Sequence, residues 1–384
     1  MTSLLFAFVF SFLALGSPLF STTEPPKTVL LVGGAGFIGS HVNEMLNREG
    51  YRTVVFDNLS RGSREAVIRG TFFKGDLLDP KSLDLLFQEY PIDAVMHFAA
   101  STEVGESVEN PLKYYQNNVT GTLNLLQAMQ NHGVSLFIFS STAAVFGNPL
   151  QSVIGEDHPQ HPINPYGQSK LMVETLLPDL AKAYGLRFCC LRYFNAAGGD
   201  PQGVIKNYRK EEPNLIPIIL KKLLTESEPC IIINGTDYPT FDGTCIRDFI
   251  HVDDIGQAHI LAMHKLFEGT ASPFYNLGNG HGFSVKEVIA AVRRTVNIPF
   301  STLDGQRRAG DPPILIASSV KAMNELGWRP KYPSLDQMIE HTWNAMKDSQ
   351  RVIPLPFTKT SRDDDYLETG NPKHVMLDAY CSRK

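Results

Sequence analysis

An unbroken apolar run, Thr28-Val29-Leu30-Leu31-Val32, leads directly into Gly33-Gly34-Ala35-Gly36-Phe37-Ile38-Gly39. The run has strand length and no polar face, so it fits a strand buried on both sides, as in a parallel sheet. Glycines 33, 36 and 39 follow in G-x-x-G-x-x-G spacing and open a helix, the context a dinucleotide-binding turn needs. Gly33 permits the tight turn, Gly36 lets the backbone approach a pyrophosphate, and Gly39 lets helix and strand pack closely. The free N–H groups and partial positive charge of the helix N-terminus then face the phosphates. Phe37 and Ile38, between these glycines, are assigned to the cofactor site with them.

The alternation continues. Strands are expected at Thr53–Phe56, Thr71–Phe73, Ala94–Phe98, Ser135–Phe139 and Arg187–Arg192. Helices are expected at Ser40–Glu49, with Gly50 just beyond its end, and at Tyr114–Asn131. Repeated βα units predict an α/β fold, a doubly wound parallel-sheet Rossmann NAD-binding domain over residues 27–195. Past Ala196 the alternation loosens. Short strands (Cys230–Ile233, Phe274–Leu277) mix with helices (Asp253–Phe267, Val285–Val296, Leu335–Met346). Ser284 and Glu287 stand in capping-box spacing before the middle helix. A smaller mixed α/β substrate domain is expected over 196–348, able to return segments to the first. It would sit over the carboxyl edge of the sheet, where such folds bind ligands.

The ends differ from this middle. Residues 4–20 are uncharged and apolar, but only Met1-Thr2-Ser3 precedes them, without Lys or Arg. The charged start of an export signal is missing, so an appendage with linker over 1–26 is favoured above membrane contact or export. Residues 349–384 read as a loosely ordered tail. Lys+Arg total 35 against Asp+Glu 40, a net charge of −5, with no dense basic stripe, which excludes a nucleic-acid partner. The 5 cysteines are odd in number and form no C-x-x-C pair, which argues against a disulfide scaffold or zinc ribbon. A reducing, cytoplasmic setting and no metal site follow as expectations.

Asp57 ends the second strand, where a carboxylate accepts hydrogen bonds from ribose hydroxyls and repels a 2′-phosphate, favouring NAD over NADP. Asp76 ends the third strand, near the expected adenine edge. Tyr166 and Lys170 lie at i and i+4, on one helix face after Pro165. A tyrosine is a poor base at its ordinary pKa of ~10. A lysine ammonium and a nicotinamide cation would stabilise its phenolate and ready it to take a proton from a sugar hydroxyl. Phe139-Ser140-Ser141-Thr142 ends the fifth strand, where a hydroxyl can contact the reacting oxygen.

These motifs resemble the extended short-chain dehydrogenase/reductase family, and within it the UDP-glucose (UDP-galactose) 4-epimerase branch. The likeness runs from about Lys27 to Lys347. It is carried by VGGAGFIGSH, VVFDNLSRG, GDLLD, AVMHFAA, FSSTAAVFG, NPYGQSK and LRYFNAAG, then by NGTDYPTFDGTCIRDFIHVDD, YNLGNG and RRAGDPP. The resemblance implies an isomerase with a firmly held NAD. It would interconvert UDP-glucose and UDP-galactose by oxidation at C4, rotation of the 4-keto sugar and re-reduction on its opposite face. Tyr166 would be the base, Lys170 its partner and Thr142 the substrate-hydroxyl contact. Asn58, Leu77, Phe98, Ala99, Ala100, Asn118, Ser140 and Tyr193 would join the cofactor site. Arg247 and Arg308 would grip the diphosphate, with Asn195, Asn214, Asp311 and Leu315 on the substrate side. A homodimer is also implied.

Departures are informative. Ser101-Thr102 stand where some members carry a Lys. Leu315 replaces a bulkier Tyr at the position that limits room at C2 of the hexose, so N-acetylated UDP-hexoses are expected as alternative substrates. Ala143 and Ala144 follow Thr142, where sugar-nucleotide dehydratases place an acidic pair. An ordinary NAD-dependent sugar-nucleotide dehydrogenase would release NADH, and a non-enzymatic redox sensor would not need Tyr166, Lys170 and Thr142 together.

Overall fold

The computed structural model describes residues 25–350, except 210–211, 213, 271–272 and 309–310. The expectations for residues 4–20 and for the tail lie outside the described residues.

The five apolar residues of β1 (Thr28–Val32) are all buried. A helix, α1 (Phe37–Arg48), follows the glycine turn; it starts earlier than expected because the glycine-flanked residues form its first turn. Next come β2 (Arg52–Asp57), β3 (Thr71–Lys74), α2 (Pro80–Glu89), β4 (Ala94–His97), α3 (Val104–Glu109) and α4 (Pro111–Tyr114). The long helix expected at Tyr114–Asn131 is interrupted. Its hydrogen-bond ladder widens to a π-turn over Tyr115–Thr120 before α5 (Gly121–Asn131) resumes. Periodicity cannot reveal such an insertion, because the apolar face continues on both sides of it. Then follow β5 (Leu136–Thr142), β6 (Val153–Ile154), α6 (Pro165–Tyr184), β7 (Arg187–Tyr193) and β8 (Asn195–Ala197).

The later elements are α7 (Leu215–Thr225), β9 (Cys230–Asn234), β10 (Ile246–His251), α8 (Val252–Phe267), β11 (Phe274–Leu277), β12 (Gly282–Ser284) and α9 (Val285–Val296). The chain continues through β13 (Ser301–Gly305), β14 (Ile314–Ala317), α10 (Val320–Glu325) and α11 (Leu335–Gln350).

Seven strands form one sheet in the order β3-β2-β1-β4-β5-β7-β11. Every pair in it is parallel. The order reverses between β1 and β4, which places a ligand crevice at the carboxyl ends there. One face is covered by α1 and α8, through Val42, Leu46, Ile255 and Met263. The other is covered by α2, α5 and α6, through Leu83, Leu125 and Val173. Two later segments therefore return to the first sheet: β11 at its edge and α8 on its face. The remaining later elements pack on each other, with α7, α9 and α11 contributing Ile219, Val288 and Met338 to a separate core. A second sheet runs β12-β10-β14-β6, with β8 beside β10. Buried Asp248 stitches its parts, accepting N–H bonds from Asn279 (2.8 Å), Gly280 (3.0 Å) and Ala317 (3.1 Å).

The capping box before α9 is formed: Ser284 Oγ accepts from Glu287 N, and the Glu287 carboxylate accepts from Ser284 N. No helix among the described residues is long and apolar enough to cross a membrane.

Candidate active site

A cavity of about 1160 Å³ opens along the carboxyl ends of β1, β4, β5 and β7 and extends beneath the later elements. The glycine turn forms part of its wall. Gly33 adopts φ +78°, and a Cβ there would lie 2.5 Å from the Ala99 backbone nitrogen. A Cβ on Gly39 would lie 2.6 Å from Gly33 O, so this glycine lets α1 close on the turn. Gly36 is different: its Cβ would meet only Gly33 O, at 3.3 Å, and otherwise faces open space. That bare backbone at a helix N-terminus, on the cavity wall with Phe37 and Ile38, fits a pyrophosphate.

Asp57 ends β2 just behind this wall. Its carboxylate accepts from Ala35 N at 3.0 Å and Leu59 N at 2.8 Å, and burial pushes its pKa up. Two backbone bonds leave a carboxylate with spare acceptor capacity. Such an acceptor fits ribose hydroxyls and, once ionised, would repel a further phosphate. The glycine cradle and Asp57 together fit NAD.

On the same cavity wall, α6 brings Tyr166 and Lys170 to the end of β5. Asn164 caps α6, its side chain accepting from Gly167 N at 2.8 Å, and Pro165 supplies the first helical position. Burial pushes the Tyr166 phenol up, and the neighbouring Thr142 hydroxyl acts in the opposite, smaller sense. Lys170 Nζ donates to Ser140 O at 2.8 Å and lies 4.5 Å from the Phe139 ring centre. Burial pushes Lys170 down to about 7. The expected help from Lys170 is thus not already in force: its ammonium is bonded to a β5 carbonyl and its own charge is poised near neutral pH.

From the later elements, Arg247 on β10 and Arg308 reach the cavity and converge on Asp311, at 3.6 and 2.9 Å. One buried Arg247 Nη has no hydrogen-bond partner among the described residues. Asn195, Asn214 and Leu315 line the same cavity, as do Phe98, Ala100, Ser140 and Tyr193. Ala143 and Ala144 line it too, in the 3-10 turn Ala143–Phe146 after Thr142.

Six expected cofactor residues are not among the lining residues: Asp57, Asn58, Asp76, Leu77, Ala99 and Asn118. Asn58 Nδ2 donates to Asp76 at 2.9 Å, which joins two strand ends behind the wall. Leu77 is buried in the core. Asn118, in the π-turn, accepts from Ser101 N (2.8 Å) and donates to Ser101 O (3.0 Å) and Ser169 Oγ (2.9 Å). It clamps the β4–α3 loop to α6.

Three features escaped sequence reasoning. Ser140 Oγ bonds His259 Nε2 at 3.1 Å, across from α8. Tyr114 stands edge-on to Tyr166, ring centres 6.5 Å apart, and donates to Glu103 O and Glu106. Glu174 and Arg192 form a buried ion pair behind β5. Glu174 could have been noticed as the next i+4 residue after Lys170; the other partners are distant in sequence and carry no local signal. Among the described residues no group of three or more His, Cys, Asp or Glu could hold a metal ion.

A Rossmann sheet with a nucleotide cradle at its switch point and a Tyr, Lys and Thr beyond it defines a nicotinamide-dependent enzyme of the short-chain dehydrogenase/reductase type. Comparison with known proteins narrows this class. Residues 29–278 match the NAD dependent epimerase/dehydratase family. The chain is 49% identical over 320 residues to UDP-glucose 4-epimerase of Halalkalibacterium halodurans, covering 83% of this chain and 96% of that one. The crystal structure of UDP-glucose 4-epimerase from Brucella ovis in complex with NAD superposes with a TM-score of 0.80 at 45% identity, covering 83% of this chain and 97% of that one. The UDP-Glc/GlcNAc 4-epimerase of Campylobacter jejuni superposes with a TM-score of 0.73 at 42% identity, covering 84% and 99%. The chain belongs to the NAD dependent epimerase/dehydratase family. It is an isomerase of the epimerase type, with NAD as its cofactor.

Proposed function

We propose that this chain interconverts UDP-glucose and UDP-galactose by inverting C4. One observation carries the reading: Tyr166, Lys170 and Thr142 line a single cavity together with the glycine cradle, Arg247 and Arg308. In this reading the cradle and Asp57 hold NAD, and the two arginines hold the diphosphate of the UDP-sugar by charge-assisted bonds. NAD supplies the chemistry of hydride removal from C4 and hydride return. Tyr166 takes the C4 hydroxyl proton and gives it back, acting as base and then as acid. Thr142 shares the hydrogen bond to that oxygen and keeps it aimed at Tyr166. Lys170 supplies positive charge as Tyr166 becomes a phenolate. The nucleotide end is gripped and the hexose end is not, so the 4-keto sugar can turn and offer its other face. Ala143 and Ala144 provide no acid for eliminating water, which separates this reading from dehydration.

Tyr166→Phe is expected to fold and to retain NAD while turnover falls by ~10²- to 10⁴-fold. Chromatography of UDP-glucose and UDP-galactose, started from each side, measures this. Wild-type turnover in the variant would remove Tyr166 from the chemistry.

Leu315 supports a second substrate class. It lines the cavity beside the Ala143–Phe146 turn, and it leaves more room than a tyrosine would at C2 of the hexose. UDP-N-acetylglucosamine and UDP-N-acetylgalactosamine are then also substrates. Leu315→Tyr is expected to cut turnover of the N-acetyl pair at least ~10-fold and to spare UDP-galactose. Equal loss on both pairs, or none on the N-acetyl pair, contradicts the gate. The proposed setting is cytoplasmic, where Cys189, Cys190, Cys230 and Cys245 remain thiols; the proposed assembly is a homodimer.

A further inference from the structure

Glu174 lies on α6 one turn beyond Lys170 and two turns beyond Tyr166, on their face of the helix. It is 2% exposed, and its partner Arg192 on β7 is 3% exposed. The carboxylate accepts from Arg192 Nε at 3.0 Å and Nη2 at 2.7 Å, a bidentate grip. It also accepts from Gln160 Nε2 at 2.9 Å and from Ser141 Oγ at 2.5 Å. Ser141 is the residue between Ser140, whose carbonyl holds Lys170, and Thr142, whose hydroxyl lies beside Tyr166. Arg192 is itself wedged between Phe146 and Phe274, 5.4 and 4.6 Å from their ring centres. One carboxylate thus ties the helix carrying the base to the strand end that aims it.

A buried ion pair is weak evidence for stability, since apolar pairs of similar volume often serve as well. The location of this one suggests a different use. We propose that Glu174 is a positioning residue for the epimerisation: it fixes the Ser140–Thr142 strand end through Ser141, and its negative charge, one helical turn from Lys170, favours the ammonium form of that lysine. This inference rests on the proposed roles of Tyr166 and Lys170.

The groups facing Lys170 support it. Burial is the largest influence on the lysine and pushes it down; Glu174 is the next and pushes it back up. From β7, Cys190 also acts upward, but burial holds that thiol well above its ordinary value, so it stays neutral. From β4, His97 is held well below its ordinary value by burial and by Lys170 itself, so it adds no charge. Across β5, His259 is pushed down to about 4 and is neutral as well. Tyr166, on the same helix, is a neutral phenol in the resting site. Glu174, itself paired with the Arg192 guanidinium, is therefore the anion that raises Lys170 against the pull of burial.

The test uses the NAD-loaded enzyme with Glu174→Gln/Arg192→Met, which removes both charges together. The variant is expected to keep NAD and a KM for UDP-galactose within about twofold of wild type, since neither side chain lines the cavity. Its kcat should fall at least ~10-fold at about pH 8.5, and the alkaline limb of its pH profile should move about one unit lower. A lowered kcat with an unmoved alkaline limb would make the pair merely structural and overturn the charge role. Ser141→Ala keeps both charges; it should lower kcat ~3- to 10-fold with the alkaline limb unmoved, and wild-type kcat would overturn the strand-end role. If the double variant does not fold, Glu174→Gln/Arg192→Gln, which also removes both charges while keeping hydrogen-bonding groups, replaces it, with a shift in the same direction expected and no shift contradicting the proposal.

A second readout does not depend on turnover. The pH dependence of Lys170 acetylation by acetic anhydride, read by peptide mass spectrometry, should have a lower midpoint in the charge-removing variant than in wild type. An unchanged midpoint overturns the proposal. Wild-type protein that does not epimerise UDP-galactose would sink the functional reading, while the acetylation midpoints still decide whether Glu174 governs the charge of Lys170.

Discussion

Lys170 shows what the site costs the fold. Burial pushes its folded pKa to about 7, from an ordinary 10.5. Between those values the unfolded chain holds a proton that the folded chain lacks, so this residue makes stability rise with pH across that window. Below the folded value the penalty for burying the ammonium is present in full. Lys170→Met is therefore expected to raise Tm at pH 7 by roughly 2–4 °C while abolishing turnover, and to flatten the rise of stability above pH 7. Thermal melts of both proteins over a pH series check this; a variant no more stable than wild type at pH 7 contradicts it. Tyr166 and Lys170 were legible in the sequence because helical spacing places i and i+4 together. The groups packed behind them were not. Glu174, Arg192 and Ser141 come from three elements, and only tertiary packing brings them within bonding distance.

At the scale of elements, the glycine turn separates folding from binding. A methyl on Gly39 would press into Gly33 O and the Gly34 backbone, at 2.6 and 2.7 Å, forcing α1 away from β1. A methyl on Gly36 would meet only one atom, at 3.3 Å, and would project into the cradle. Gly39→Ala should therefore lower Tm by several degrees and lose NAD, whereas Gly36→Ala should lose NAD with Tm of the NAD-free protein within about 2 °C of wild type. Melting curves with NAD extracted, beside a count of NAD per chain, distinguish the two; the reverse ranking would refute this account of the turn. The βα alternation of the first half was readable because each strand is a short apolar run closed by a turn or helix signal. The π-turn at Tyr115–Thr120 was not, since nothing in an amphipathic pattern marks one widened turn. It matters because it carries Asn118, which holds Ser101 and Ser169 in register.

For the whole molecule, topology assembles one cavity from segments far apart in the chain. The switch point between β1 and β4 sets where the nucleotide cradle opens, and the later elements close over it with Arg247, Arg308, Asp311 and Leu315. That β11 and α8 return to the first sheet was not visible in their sequences, because a short apolar strand and an amphipathic helix fit either core equally well. Their return is what presses the second sheet against the cleft, with Asp248 bonding the β11–β12 turn and β14. The central claim is that C4 is oxidised and reduced within this one cavity, so no net redox occurs. Purified protein, carrying its own NAD, should convert UDP-galactose to UDP-glucose with no NAD added and no reduced nicotinamide absorbance growing in the medium. NADH accumulating mole for mole with oxidised sugar, or a strict need for stoichiometric added NAD, would contradict it.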